Sequence, residues 1–317
     1  MPRYFAALSD RLLVGDGVWS ERLVGRGLEC LAVAPAAPER AFVGTAEEGL
    51  QRTTDGGSSW TTALTAGDRV TSVTVSPHDP EEVWAGTEPS AVYRSTDGGE
   101  SWTERPGLTG LDSASRWSFP PRPHTHHVRW IALAPDDPEQ LYVAIEAGAF
   151  VRSPDAGATW LDHPDGARRD NHTLATHPDA PERVYTAAGD GYALSTDHGR
   201  TWTYPQNGLD HRYVWSLAVH PDDPETVVAS AASGARSAHS TDGESYVYRT
   251  SGEEWTTAME GLSGPDGLAR PVLTADDEGV LALTNHGLFR STDAWAWDRV
   301  GEWRDAYNQV PRGLAVV

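Results

Sequence analysis

The chain has 317 residues, a formal net charge of −21, one cysteine (Cys30) and no lysine, so arginine is its only strong base. Such a negative field disfavours nucleic acid and anionic membranes. The lone thiol excludes an internal disulfide framework, and no apolar run is long enough to span a bilayer. The acid excess fits a salt-adapted cytoplasmic protein, and the first residues lack the charged-then-apolar pattern of a secretory signal.

The chain opens with three short apolar-rich segments, RYFAALSD, RLLVGDG and VWSERLVG. Next comes LECLAVAP (28–35), in which Cys30 reads as a buried structural thiol. Similar strands follow at VTSVTVSP (70–77), VRWIALAP (128–135), NHTLATHP (171–178), VWSLAVHP (214–221), ARPVLTAD (269–276) and PRGLAVV (311–317). Proline and aspartate after several of them, as in SPHDP, start turns well. In the second unit, VTSVTVSP, EEVWAGT, AVYRSTD and WTER read as four consecutive strands.

An octapeptide punctuates these units: TTDGGSSW (53–60), STDGGESW (95–102), SPDAGATW (153–160) and STDHGRTW (195–202), with degenerate copies at 240–255 and 291–297. Aspartate and serine or threonine can fix a tight turn through the backbone. Glycine supplies the positive φ, and tryptophan buries a large surface. The motif therefore reads as fold punctuation. It resembles the Asp-box or BNR repeat of sialidases, xyloglucanase-type glycoside hydrolases, sortilin-type receptors and photosystem II assembly-factor propellers. The resemblance implies an all-β propeller without fixing one activity. Counting the opening strands gives seven four-stranded blades in a single domain, 1–317. The C-terminal strand supplies the missing inner strand of the N-terminal segments, which closes the ring and removes a sheet edge. Sialidases have six blades, and their N-terminal F/Y-R-I-P signature is absent here.

In a propeller the first strand of each blade lines a central channel. Aligning these strands places Glu29, Thr71, Arg129, His172, Trp215, Arg270 and Arg312 at one level of the channel mouth. His127, Asp170 and Tyr213 fall two residues earlier in their own strands. Guanidinium forks suit carboxylate, sulfate or phosphate, so Arg129, Arg270 and Arg312 are the expected anion clamp. Trp215 and Tyr213 are expected to stack on the ligand, with Glu29, His127 and Tyr192 nearby. The competing expectation is that Glu29, Asp170 and the loop acids Asp10, Glu47, Glu48, Glu88, Glu146 and Asp190 neutralise these arginines.

Glu146 and His172 are the acid–base candidates, and Tyr246 is a candidate nucleophile or hydrogen-bonding group. Two long insertions, 104–127 and 230–245, are expected to reach the same face. No cofactor is expected. The alternative is a divalent transition metal held by two or three of His124, His126, His172, His239 and His286. Two functions follow. One is a channel site for a small anionic or carbohydrate ligand, with glycosidase-like hydrolase or lyase chemistry. The other is a non-catalytic propeller whose top face binds a protein partner.

Overall fold

The computed structural model describes residues 2–67 and 69–317. Seven antiparallel sheets form a ring. The inner strands are Leu28–Ala34, Arg69–Val75, Val128–Leu133, Asn171–His177, Tyr213–His220, Val272–Asp276 and Gly313–Val316. Each packs on the next, and the seventh packs on the first. Blades are numbered here by these strands. In blades 3 and 4 the fourth strand is reduced to one bridge, Arg152–Leu161 and Leu194–Thr203. No helix among the described residues is long and apolar enough to cross a membrane.

Blade 7 joins the two ends of the chain. Gly313–Val316 pairs antiparallel with Tyr4–Ala7, Ala315 opposite Phe5, and the sheet continues through Leu12–Gly15 and Trp19–Arg22. Two backbone hydrogen bonds between Arg3 and Val317 extend the seam. Apolar clusters fill the spaces between neighbouring blades. One joins Trp84 and Val92 of blade 2 to Ile131, Val143 and Val151 of blade 3.

The octapeptides form one repeated turn. In the second copy, buried Ser95 donates to Asp97 Oδ1 at 2.7 Å and accepts from the Gly99 N–H at 2.8 Å. Asp97 accepts from the Ser101 N–H at 2.9 Å and hydroxyl at 2.5 Å. Equivalent bonds recur around Asp55, Asp155 and Asp197. Gly99 has φ +85°, and a Cβ there would lie 2.5 Å from the Phe42 ring. This position therefore needs glycine for both conformation and space. The aspartates accept several hydrogen bonds, which hold Asp55 at a pKa of about 2. These four acids are turn supports on the outer part of the ring, away from the channel.

A second regularity positions the site. The pairing between first and second strands skips one residue in five blades: Glu29, Thr71, Arg129, His172 and Trp215. A bulge leaves its extra residue outside the ladder and can re-aim its side chain. The bulges fall on the channel-mouth column read from the sequence. In blades 6 and 7, Arg270 and Arg312 lie just ahead of strands that begin at Val272 and Gly313.

Candidate functional site

The channel mouth is a cavity of about 590 Å³. Its lower wall carries Glu29, Thr71, Arg129, Trp215, Arg270 and Arg312, and the next level carries Arg69, His127, Asp170 and Tyr213. Both long insertions reach it. The first contributes Phe119, Pro120, Pro121 and Arg122, and the second contributes Ala235, Arg236 and His239. Among the described residues, six arginines thus face three carboxylates, those of Glu29, Glu146 and Asp170. That is a local reversal in a strongly acidic chain. Arg129 and Arg312 also line the apolar channel below, so they form the floor between the two spaces.

The arginines fall into two sets. Two rim arginines are neutralised: Arg69 pairs with Glu29, and Arg122 makes a two-pronged contact with Glu88 at 2.7 and 2.5 Å, whereas Arg236 is exposed and forms no ion pair among the described residues. Glu48 and Asp190 are likewise taken up by Arg26 and Arg168, and Asp10 by Arg11. Of the floor set, Arg129 approaches one acid, Glu146, at 3.5 Å. Among the described residues, no carboxylate lies within 4.0 Å of the Arg270 or Arg312 guanidinium. Arg270 is 1% exposed, and its Nε donates to His239 Nδ1 at 3.3 Å. Its guanidinium lies 3.7 Å from the Trp215 ring centre, and that of Arg129 lies at 4.7 Å. Among the described residues, Arg129 Nε, Arg270 Nη1 and Arg312 Nε are buried without hydrogen-bond partners. Burial, then the charges of Arg312 and Arg129, hold the Arg270 pKa well below the ordinary guanidinium value. Burial lowers Arg312 too.

The opposite wall holds Glu146, which accepts from His127 Nε2 at 2.9 Å. Burial alone would raise its carboxyl. The His127 bond and the charges of His127, His172 and Arg129 outweigh that and keep it well below the usual range. Asp170 accepts from the Ala147 N–H at 2.9 Å, and burial raises its carboxyl. His172 is fully buried behind these acids. Its Nδ1 donates to the Val214 carbonyl at 2.7 Å, which places the lone pair of the neutral ring on Nε2. His239, exposed to the cavity, is bonded to the Tyr213 hydroxyl at 3.0 Å. Burial and Arg270 push its pKa down to about 3.

Several sequence-based expectations need correction. Tyr192 is 2% exposed and packs edge-on against Trp255 at 5.0 Å between blades, so its ring and hydroxyl are outside the cavity lining. Tyr246 stacks on His211 at 3.9 Å and also lies outside the lining. His172 supports the wall from behind and does not line the cavity. Among the described residues, no group of three potential metal ligands contains two of the five histidines considered. His124 is exposed, His126 meets Ser90 at 2.8 Å, His239 meets Tyr213, and His286 meets the Gly267 carbonyl at 3.0 Å. Sequence reasoning treated Asp170 only as a neutralising acid, although its place two residues before His172 located it at this level.

No protein-family model and no curated protein matches the sequence. Solved structures do match. An ancestral GH74 enzyme superposes with a TM-score of 0.68 at 18% identity, over 95% of this chain and 40% of that one. The GH74 enzyme of Niastella koreensis superposes with a TM-score of 0.69 at 16% identity, over 93% of this chain and 51% of that one. YCF48 bound to a D1 peptide gives 0.58 at 17% identity, over 90% of this chain and 82% of that one. This chain therefore spans about half the length of the GH74 enzymes or less. At such identities the likeness establishes the fold: a seven-bladed propeller similar to those of GH74 glycoside hydrolases and of YCF48.

Proposed function

We propose that the channel mouth binds a small organic anion, with the acidic group on Arg129, Arg270 and Arg312 and the body of the ligand against Tyr213 and Trp215. The observation that carries this reading is the pair Arg270 and Arg312, buried or half-buried beside an open cavity with no carboxylate in reach among the described residues. A buried cation without a partner is costly, and an entering carboxylate, sulfate or phosphate offsets that cost through charge-assisted hydrogen bonds. The aromatic wall suits a sugar acid or another ring-bearing anion. In a glycosidase-like or lyase reading, Glu146 is the candidate acid–base residue that reaches the cavity, and His172 positions it from behind.

The test is a thermal-shift screen with sugar acids, sulfate esters and phosphate esters on the protein and on Arg312→Met. A ligand that binds only the folded state raises stability by RT ln(1 + [L]/Kd), about 2.7 kcal/mol at a hundredfold excess over Kd. Stabilisation by one anion class, lost in Arg312→Met, is the expected result. No stabilisation by any anion would overturn it. The partner-binding reading is favoured by one observation. This chain covers most of peptide-bound YCF48 but about half or less of the GH74 enzymes. On that reading the folded protein responds to no small anion, and a peptide bound at the top face is displaced by substitutions in the two insertions.

A further inference from the structure

The wall opposite the arginines brings together three residues with a different chemistry. Glu146, Asp170 and His172 each present one donor atom, and these atoms all lie within 4.8 Å of one another. Asp170 Oδ1 is 3.7 Å from His172 Nε2. The three come from separate parts of the fold: the turn after the second strand of blade 3, the segment entering blade 4, and the blade 4 bulge.

A pair of acids beside a histidine is a common ion-pair arrangement, and alone it shows nothing. The histidine supplies a second, independent observation. His172 is 0% exposed, and its Nε2 has no hydrogen-bond partner among the described residues. Its other nitrogen is tied to the Val214 carbonyl. That carbonyl bond fixes the tautomer, so the unpartnered nitrogen is a lone-pair donor facing the carboxylates. A backbone carbonyl that holds the far nitrogen of an imidazole and leaves the near one basic is the usual second layer of a metal site.

The carboxylates are prepared in a matching way. Glu146 Oε2 is occupied by His127 and approached by Arg129, while Oε1 accepts no hydrogen bond among the described residues. Asp170 Oδ1, the oxygen nearer His172, accepts one hydrogen bond, from the Ala147 N–H, and a carboxylate oxygen has a second lone pair. Glu146 is thus oriented by one oxygen and leaves the other available, while Asp170 is oriented through the oxygen that faces His172 and keeps a lone pair on it.

We infer that Glu146, Asp170 and His172 form a binding site for one divalent transition-metal ion, Zn²⁺ or Mn²⁺, in the wall of the anion cavity. One nitrogen and two oxygens suit these ions, whereas an all-oxygen set would suit Mg²⁺ or Ca²⁺. Bonds of about 2.1 Å place donors roughly 3–3.5 Å apart, so the carboxylates must close by about an ångström around the ion. Asp170, on the partly exposed side of the cluster, has room to move. Because Glu146 and Asp170 line the cavity, the open coordination positions face the space assigned above to the anion. This inference stands on different residues from the arginine clamp.

The test is calorimetric titration of chelator-treated, dialysed full-length protein with ZnCl₂, MnCl₂ and MgCl₂. Mn²⁺ binding is read independently by the loss of the free-ion electron paramagnetic resonance signal. One Zn²⁺ or Mn²⁺ per chain, with Mg²⁺ much weaker, is expected. Loss of a supporting group costs 10–100-fold in metal affinity, so Asp170→Asn and His172→Gln should each weaken binding at least roughly 100-fold. Asp170→Asn is the safer variant, since His172 is buried and its replacement can unfold the blade. His124→Ala and His286→Ala should bind as the parent does. No binding of either ion to the folded protein overturns the site, and so does undiminished binding by folded Asp170→Asn. Arg270→Met separates the two proposals: it should abolish anion stabilisation and leave metal stoichiometry at one.

Discussion

Replacing Arg270 by methionine should stabilise the unliganded protein. Its guanidinium is 1% exposed, and no carboxylate lies within 4.0 Å among the described residues. Taking such an ion out of water costs several kcal/mol. The Trp215 face at 3.7 Å returns about 2 kcal/mol. The long bond to the neutral His239 ring returns about 1.5 kcal/mol. Arg129 and Arg312 add repulsion. The charge is therefore left in deficit. Methionine retains much of the side-chain length and the contact with Trp215, so Arg270→Met should gain about 1–3 kcal/mol, within the roughly 1–4 kcal/mol gained in favourable exchanges of buried ionic groups for apolar ones. For a chain of this size that corresponds to roughly 2 °C in midpoint per kcal/mol. Urea unfolding in a buffer free of multivalent anions measures the gain, and repetition with a stabilising anion should show the advantage reversed. A loss of more than about 2 kcal/mol without ligand would refute the reasoning, because it would mean that the charge is balanced within the fold.

Three further outcomes follow from the fold. Ser95→Ala removes a buried hydroxyl that holds both Asp97 and the Gly99 N–H, and urea unfolding should show a loss of about 1–2 kcal/mol. The turn aspartates have lowered carboxyl pKa values in the folded state, about 2 for Asp55 and Asp197. Their stabilisation is thus complete above the unfolded value of about 3.9 and is lost as pH falls towards 2. Midpoints measured between pH 5 and pH 2 should fall less steeply in an Asp55→Asn, Asp197→Asn double variant. Deleting residues 313–317 removes the inner strand of blade 7 and exposes Phe5 and Ala7, so scanning calorimetry should show a larger drop than any of the single substitutions here.

The ring was legible in the sequence because its information is local and repeated. Tight turns need serine or threonine, aspartate and glycine at fixed offsets, and one octapeptide pattern announces four of them. The channel column was legible because the inner strands align on their turns. The strand period alone could not show that five of its members sit on bulges, since a bulge inserts one residue without changing the apolar pattern. Tyr192 and Tyr246 misled for a related reason. Strand alternation sends a side chain to one face or the other, but packing against Trp255 and His211 decides what that face meets. The wall formed by Glu146, Asp170 and His172 joins two blades, and nothing in either segment encodes the distance between them.

Arg312 sits one residue ahead of the strand that fastens the ring, and its backbone N–H is bonded to the Ala7 carbonyl at 2.8 Å. Arg129 and Arg270 reach the same hub from blades 3 and 6. An anion held by all three is a spoke nut, tightening three spokes at once, one of them at the weld of the rim. On the proposed anion clamp, ligand and seam would be thermodynamically linked: whatever loosened the seam would loosen the grip, and occupancy of the hub would resist opening of the wheel at its joint.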